Sequence, residues 1–415
     1  MTVIAMPKPH WLSKAIPSDG KLARPLPNLY NCMLALREDA GLKDMLQFNE
    51  FACCPEMIHP INEPMNIQEP SEVRDADLAD IQSYLQDAGL KQVSVATVQQ
   101  AVNRVAQDVY VHPVRAYLSS LPLWDGVNRL DNWLARCAGC DLNTYTSSVG
   151  RWFLMGMVAR ILDPGCKMDY MIVLEGPQGK LKSTLLRTLV GDDWFSDHLP
   201  DIGSKDSSIH LRGKWLIEVA EMHTFSRAES TALKSFLSRQ EERYRRPFER
   251  CETYEKRQCV FAGTTNKDTY LKDETGNRRF WPLRCVGTID LDDLDHIRDQ
   301  LFSEAMHRFN EDEHYWPDGT FERDVIKPEQ DQRYDADCWE DQVLPYLDGR
   351  DPLTLTEIAV GCLGYSERNN PYDPGGTPIN QFGTAQQNRL RNILKSNGWV
   401  RDGRDVKGRM RWKRN

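Results

Sequence analysis

Apolar residues recur at helical spacing through the first third of the chain: Leu29, Met33, Leu34 and Leu36, then Leu42, Met45 and Leu46, then Leu78, Ile81 and Leu85, and then Val95, Val98, Val102 and Val105. Side chains three or four positions apart share one face of a helix, so this spacing predicts a helical N-terminal domain over 21–145, behind a polar, proline-scattered and flexible arm at 1–20. Gly89 is a natural helix stop and Ser94 can cap the helix that follows. The proline-rich stretch Cys54 to Pro70 reads as an extended connector.

Past residue 145 the pattern becomes one of short apolar runs separated by helices. Met171-Ile-Val-Leu174, Trp215-Leu-Ile217 and Cys259-Val-Phe-Ala262 have the length and composition of buried strands, and Leu185-Leu-Arg-Thr-Leu-Val190 is an apolar helix between the first two. The pattern predicts an α/β core over 146–318, closed by the acidic helix Asp290 to Glu313, whose charges read as a solvated face. After Asp318 the chain changes again. Trp339, Val343, Leu344 and Leu347 predict one helix, Leu355, Ile358, Ala359 and Leu363 a second, and Phe382, Leu390, Ile393 and Leu394 a third, before short strands at Trp399 and Met410-Arg-Trp412. Three helices and a small hairpin predict a winged-helix-like domain over 319–415, with a long loop from Glu367 to Gly383.

A length of 415 residues fits two or three domains, and 40% hydrophobic with 27% charged residues is the composition of a chain that buries a core. The net charge of −9 argues against indiscriminate coating of nucleic acid and leaves room for a local basic surface. Eleven cysteines, without a signal peptide or an apolar run near the length of a membrane span, point to free thiols in a reducing cytoplasm. Cys137-Ala-Gly-Cys140 is the one Cys-x-x-Cys and lacks a second pair for zinc, so buried thiols are expected there.

The first strand runs into Gly176-Pro177-Gln178-Gly179-Lys180-Leu181-Lys182-Ser183-Thr184. A P-loop is Gly, four residues, then Gly-Lys-Ser/Thr; Gly176, Lys182 and Ser183 fit, and Leu181 stands where the second glycine belongs. The chemistry needs backbone N–H groups aimed at phosphate oxygens, a lysine for the β/γ-phosphates and a hydroxyl for Mg²⁺, and all three are retained. ATP and Mg²⁺ are the expected ligands. The second strand ends Glu218-Val-Ala-Glu221, and a carboxylate beside the loop is what holds Mg²⁺ and polarises attacking water. Glu221 terminates the run and is the favoured acid; Glu218, inside the strand, is expected to support it. The third strand becomes polar at Asn266, where a sensor side chain would meet the γ-phosphate or the lytic water. Arg278 and Arg279, in a turn twelve residues on, are candidate fingers for a neighbouring subunit's phosphates.

In this order, Gly-Pro-Gln-Gly-x-x-Lys-Ser-Thr, Arg-Gly-Lys-Trp-Leu-Ile-Glu-Val-Ala-Glu, Arg-Tyr-Arg-Arg-Pro-Phe, Gly-Thr-Thr-Asn and Gly-Asn-Arg-Arg-Phe-Trp-Pro resemble the virulence-associated E family of phage and mobile-element ATPases, itself similar to superfamily 3 helicases. The resemblance covers about residues 100 to 310. It implies an AAA+-like core working as a ring, hexameric by expectation, with Lys182 and Ser183 in the P-loop, Glu221 as Walker B acid, Asn266 as sensor and Arg278 or Arg279 acting in trans. It also assigns Tyr244-Arg-Arg-Pro-Phe248, in a stretch that carries Arg243, Arg245 and Arg246, to a hairpin that follows single-stranded DNA in the pore, Tyr244 or Phe248 stacking on bases; interdomain salt bridges are the competing explanation.

Basic side chains crowd between Arg389 and Arg414 and face only Asp402 and Asp405. A third helix with a basic wing presents such a surface to duplex DNA, and Arg404, Arg409 and Arg411 are the residues expected to meet phosphates; a solvated basic tail is the alternative. Asp75-Ala-Asp77 and Asp335-Ala-Asp337 sit in polar sequence rather than on an apolar strand, so a primase activity would belong to another polypeptide. The expectation is an ATP-dependent DNA helicase or translocase of a phage or mobile element, acting in replication in the cytoplasm of a bacterial host. Two alternatives stand beside it: a DNA-binding initiator that uses nucleotide as a switch, and a protein-remodelling ATPase.

Overall fold

The first helix starts at Asn28, whose side chain accepts the N–H of Asn31, and α1 spans Leu29–Glu38. The computed structural model describes residues 9–18, 24–245, 252–272, 276–334, 337–365 and 382–414. Helix α1 ends against Asp39, a buried carboxylate that accepts from Trp11 Nε1 at 2.7 Å, the Tyr84 hydroxyl at 2.5 Å and the Gly41 N–H at 2.9 Å. Leu42 and Met45 therefore fill the turn behind it, and Leu46 opens a strand, β1 (Leu46–Asn49).

The N-terminal domain is not wholly helical. With β2 (Cys54–Met57) and β3 (Ser71–Glu72), and with β4 (Tyr110–Val111) beyond α2 (Asp75–Asp87) and α3 (Val95–Ala106), β1 forms a sheet in the order β3-β2-β1-β4. Strands of two to four residues are too short to leave a two-residue period in the sequence, and β2 falls in the stretch expected as a connector. The helical faces behave as their spacing predicts: Cys32, Leu36, Ile81, Leu85, Val98 and Val102 share one core.

A second core starts with α4 (Pro113–Ser120), α5 (Trp133–Ala138) and α6 (Thr144–Leu162). Helix α6 is apolar on nearly all sides and correspondingly buried, the central helix against one sheet face. The chain continues through β5 (Met171–Glu175), α7 (Lys182–Val190), β6 (Phe195–Ser196), α8 (Lys205–His210), β7 (Leu216–Val219), α9 (Arg227–Leu237), the antiparallel hairpin β8 (Glu241–Tyr244) and β9 (Thr253–Lys256), β10 (Val260–Thr265), β11 (Phe280–Arg284) and α10 (Leu291–Asn310). Strands β11-β5-β10-β7-β6 form one parallel sheet in that order, making the molecule a mixed α/β protein. Every residue of β5 is buried, as a central parallel strand covered on both faces must be.

This core extends beyond 146–318 at both ends. Val114, Leu118, Trp133 and Leu134 pack into it from before residue 146. After α10, α11 (Gly319–Phe321), a π turn (Glu322–Ile326) and α12 (Lys327–Asp331) fold back onto it. Gln330 Nε2 donates to the Phe280 carbonyl at 2.8 Å, and Arg333 Nε donates to Glu175 Oε1 at 2.9 Å, where the Tyr270 hydroxyl also donates at 2.9 Å. Glu175, 1% exposed, is thereby neutralised at the end of β5.

The C-terminal domain runs α13 (Glu340–Leu347), β12 (Leu353–Thr354), α14 (Leu355–Leu363), α15 (Thr384–Ser396), β13 (Trp399–Arg404) and β14 (Met410–Arg414), with an antiparallel sheet ordered β12-β14-β13. Val343, Ile358, Leu390, Leu394, Trp399 and Trp412 form its core. Residues 366–381 of the long loop lie outside the described residues. No helix among the described residues is long and apolar enough to cross a membrane.

His112 joins the N-terminal domain to the second core. Its Nδ1 accepts the Arg115 N–H at 3.2 Å, which leaves Nε2 to donate to Gln258 Oε1 at 2.7 Å. Burial holds its pKa below the ordinary 6.5, so the fold favours the neutral ring; the contribution is present above that value and lost as pH falls. Urea unfolding at about pH 7.5 and about pH 5.5 should give a smaller acid loss of stability in His112→Gln than in the parent. Equal losses would contradict this assignment.

Candidate functional site

The turn between β5 and α7 is shaped by three left-handed residues. Gly176 has φ 153° and Gly179 φ 82°, conformations natural to glycine, but Leu181 has φ 60° and ψ 20° at the N-cap of α7. A left-handed residue with a Cβ costs roughly 1–2 kcal/mol, and the Leu181 side chain is 49% exposed.

Lys182 is buried at the start of α7, and its Nζ donates to the carbonyls of Gly176 at 2.7 Å and Pro177 at 2.9 Å. Its ammonium thus sits inside the turn, and burial lowers its pKa from the ordinary lysine value. Ser183 donates its hydroxyl to Glu218 Oε1 at 2.7 Å, and Thr264 donates to the same oxygen at 2.6 Å. Glu218 Oε2 is buried and has no hydrogen-bond partner among the described residues. The carboxylate touching the loop is that of Glu218, against the expectation that favoured Glu221. A residue inside β7 points its side chain to one sheet face, and here that face carries Ser183 and, from the adjacent β10, Thr264.

Glu221 lies past the end of β7, exposed, in a left-handed conformation with φ 52° that turns the chain into a short 3₁₀ segment, Met222–Thr224. It lines the same cavity of about 360 Å³ as residues 178–184, Glu218, His223, Thr264, Thr265 and Asn266. Asn266 follows β10, which lies between β5 and β7, so the sheet order brings it between the loop and Glu221. His223, Thr264 and Thr265 carry no role in the sequence reading; His223 stands two residues past Glu221, and the two threonines belong to the Gly-Thr-Thr-Asn stretch in which only Asn266 is a candidate. Lys272 Nζ fixes the segment after Glu221 by donating to the carbonyls of His223 at 3.1 Å and Phe225 at 2.7 Å.

Arg278 and Arg279 are not at this cavity. They precede β11, whose Phe280 pairs with Met171 at the start of β5 and whose Arg284 pairs with Glu175 at its end. The register sets them a strand length, about 13 Å at ~3.3 Å per residue, from the loop of their own chain. Arg278 is exposed, whereas Arg279 is half-buried and donates through Nε to Ser238 Oγ at 2.8 Å.

Among the described residues of the basic hairpin, Arg243 and Tyr244 are paired within it. Arg243 donates to Glu252 at 2.8 Å and lies 5.1 Å from the centre of the Tyr254 ring. Tyr244, expected to stack on bases, is 4% exposed: its hydroxyl donates to Glu255 Oε2 at 2.7 Å and the Arg212 guanidinium covers its ring at 5.4 Å. Strand alternation turns Tyr244 inward between exposed Arg243 and Arg245. Arg246 and Phe248 lie outside the described residues. In the C-terminal hairpin Arg404 is exposed, Arg409 is held by its backbone N–H on Asp405 Oδ1 at 2.7 Å, and Asp402 stands 3.9 Å from Arg411 and 3.1 Å from Lys413, so part of that basic face is internally balanced.

A family model described as the virulence-associated protein E-like domain matches residues 118–335, more than half of the chain, and the protein belongs to that family. The matched span agrees with the extent of the second core, including α5 and α12. Comparison with curated proteins gives no match. Among solved structures the chain is similar to the A form apo structure of the NrS-1 C-terminal region (305-718), at 11% identity and a TM-score of 0.46 over 89% of this chain and 95% of that one. It is also similar to another apo structure of that region, at 12% identity and a TM-score of 0.45 over 89% and 95% of the two chains.

The burial of Tyr244 has a measurable consequence. Tyr244→Phe should lower stability to urea by about 1.5 kcal/mol, the cost of a hydrogen bond to a charged acceptor, and Tyr244→Leu, which also removes the ring, should leave the affinity of the folded protein for single-stranded DNA unchanged. A loss of DNA affinity in folded Tyr244→Leu that Tyr244→Phe does not share would return Tyr244 to the role of a stacking residue.

Proposed function

We infer that the protein binds ATP with Mg²⁺ in the cavity at the ends of β5, β7 and β10 and couples its hydrolysis to movement along DNA. The observation that carries this reading is the convergence of Lys182, Ser183, Glu218, Glu221 and Asn266 on one cavity at the N-terminus of α7. Those elements supply what phosphoryl transfer requires: a helix N-terminus and a lysine for the phosphates, acidic and hydroxyl oxygens for a cation, and polar groups for water.

The donor set fits Mg²⁺. Ser183 Oγ and Glu218 Oε1 lie 2.7 Å apart and Glu218 retains an unpartnered oxygen, an oxygen-rich pair of the kind Mg²⁺ takes alongside phosphates and water. A bound Mg²⁺ would supply charge neutralisation at the phosphate oxygens. Lys182 must exchange the Gly176 and Pro177 carbonyls for phosphate oxygens when nucleotide enters. Glu221 orients and deprotonates the attacking water, and Asn266 holds that water against the terminal phosphate.

The position of Arg278 and Arg279 favours a ring. Set a strand length from their own loop, they serve a phosphate only if it belongs to a neighbouring subunit, Arg278 being the more available. We assign the assembly to a homo-oligomeric, hexameric ring with single-stranded DNA in its pore, followed by the β8–β9 hairpin through Arg245. The C-terminal order of three helices, one strand and a basic hairpin supports a winged-helix reading, in which Arg404, Arg409 and Arg411 meet duplex DNA. The setting is replication of a phage or mobile element in a bacterial cytoplasm, with any primase on another polypeptide. A second reading, a DNA-binding initiator that holds nucleotide as a switch, is favoured by Leu181 alone.

ATP turnover measured with and without single-stranded DNA separates the readings. Stimulation by DNA, abolished in Lys182→Ala, supports a motor; binding without turnover supports the switch; turnover indifferent to DNA supports a protein-remodelling ATPase. Mixing Lys182→Ala with Arg278→Ala subunits should restore a measurable fraction of hydrolysis, because one partner supplies the loop and the other the guanidinium. Assembly without any restoration would rule out the trans arginine.

A further inference from the structure

Lys180 reaches from the loop to the exit of β11, the strand beside β5 in the sheet. Its Nζ donates to three backbone carbonyls at the exit of β11: Cys285 at 2.6 Å, Val286 at 2.9 Å and Gly287 at 3.0 Å. An ammonium has three donors, so this side chain is fully used and has none left for a ligand. The acceptors are themselves fixed, since the Cys285 N–H donates to the Glu175 carbonyl at 2.9 Å and the Gly287 N–H to the Gly139 carbonyl at 2.8 Å. The next residue is Leu181, held at φ 60° where glycine would reach the same conformation freely.

The geometry points to Lys180 as a positioning residue that compensates for the missing P-loop glycine: its three-carbonyl clamp holds Leu181 in the left-handed conformation that aims the first N–H groups of α7 into the cavity. This rests on the nucleotide reading of the site and explains how a loop with leucine before its lysine retains the phosphate-binding path. The clamp acts through backbone position and not through contact with the ligand. Left to itself, a leucine prefers right-handed or extended backbone, and either would rotate the N–H groups of residues 181–183 away from a phosphate. The dependence is therefore conditional. Lys180 is needed because residue 181 is not glycine.

The test is a double-mutant cycle in the full chain, with Lys180→Ala, Leu181→Gly and the double variant, read by binding of a fluorescent ATP analogue with Mg²⁺ and of inorganic tripolyphosphate. Lys180→Ala should weaken both by about tenfold, the equivalent of one misplaced left-handed residue. Leu181→Gly should bind as tightly as the parent or severalfold more so, and the double variant should recover to within about threefold of Leu181→Gly. Equal effects on the two probes place the loss at the phosphates. If Lys180→Ala costs as much with glycine at 181 as with leucine, or costs nothing with leucine, the compensation is refuted. The same cycle read by thermal unfolding without nucleotide keeps the inference separate from the functional reading: Lys180→Ala should lower Tm more in the leucine background than in the glycine background. A parent that binds neither probe would sink the nucleotide site, and the Tm cycle would still decide the clamp.

Discussion

Everything at the proposed site is arranged around one buried carboxylate. Glu218, 1% exposed in β7 between β10 and β6, is a buried polar group that needs hydrogen-bond partners, and the Ser183 and Thr264 hydroxyls supply them on a single oxygen. Those two donors come from the first turn of α7 and from β10, so the same oxygen that needs stabilising also ties the loop to the neighbouring strands. The second oxygen is left unpartnered. A carboxylate with one oxygen satisfied by protein and one left over is organised for a cation in a way that a fully bonded or fully exposed one is not.

The loop above Glu218 is restrained at its start and in its middle by charged side chains already committed to partners. At its start, Glu175 is neutralised by Arg333 and Tyr270; in its middle, Lys180 is spent on three carbonyls. Removing one partner of a buried ion pair typically costs 3–5 kcal/mol, so the return of the chain through α12 is as much part of the loop's support as β5 itself. Pre-organisation of this kind matters for phosphate chemistry, where most of the protein's contribution lies in groups already aimed before the reaction begins.

The elements legible in the sequence were those with length and a consistent pattern. The buried runs around Met171, Leu216 and Val260 and the helix after Lys182 appear where their composition places them, because a parallel strand covered on both faces must be apolar throughout. The short N-terminal strands left no such trace, and their residues were read as helix and connector. At the site, the residue types were legible and their geometry was not. Nothing in the spacing of Glu218 and Glu221 says which carboxylate faces Ser183; that depends on the side to which one strand position points and on the left-handed turn at Glu221. Tyr244 failed for the same reason, one strand position deciding between solvent and the Arg212 guanidinium. The partners of Arg333 and Lys180 left no trace because they are distant in sequence or are backbone carbonyls, which carry no sequence signal; Lys180 reads only as a residue of the loop.

The central claim is that Glu218, through Ser183, forms the cation side of the site, while Glu221 serves the water. The most direct measurement is the binding of Mn²⁺, as a spectroscopic substitute for Mg²⁺, to the protein with a non-hydrolysable ATP analogue, followed by electron paramagnetic resonance in Glu218→Gln and Glu221→Gln. The account predicts that Glu218→Gln loses the protein-bound Mn²⁺ signal and the gain in nucleotide affinity that the metal confers, whereas Glu221→Gln keeps both and loses only turnover. The reverse pattern, with metal retained in Glu218→Gln and lost in Glu221→Gln, would contradict it.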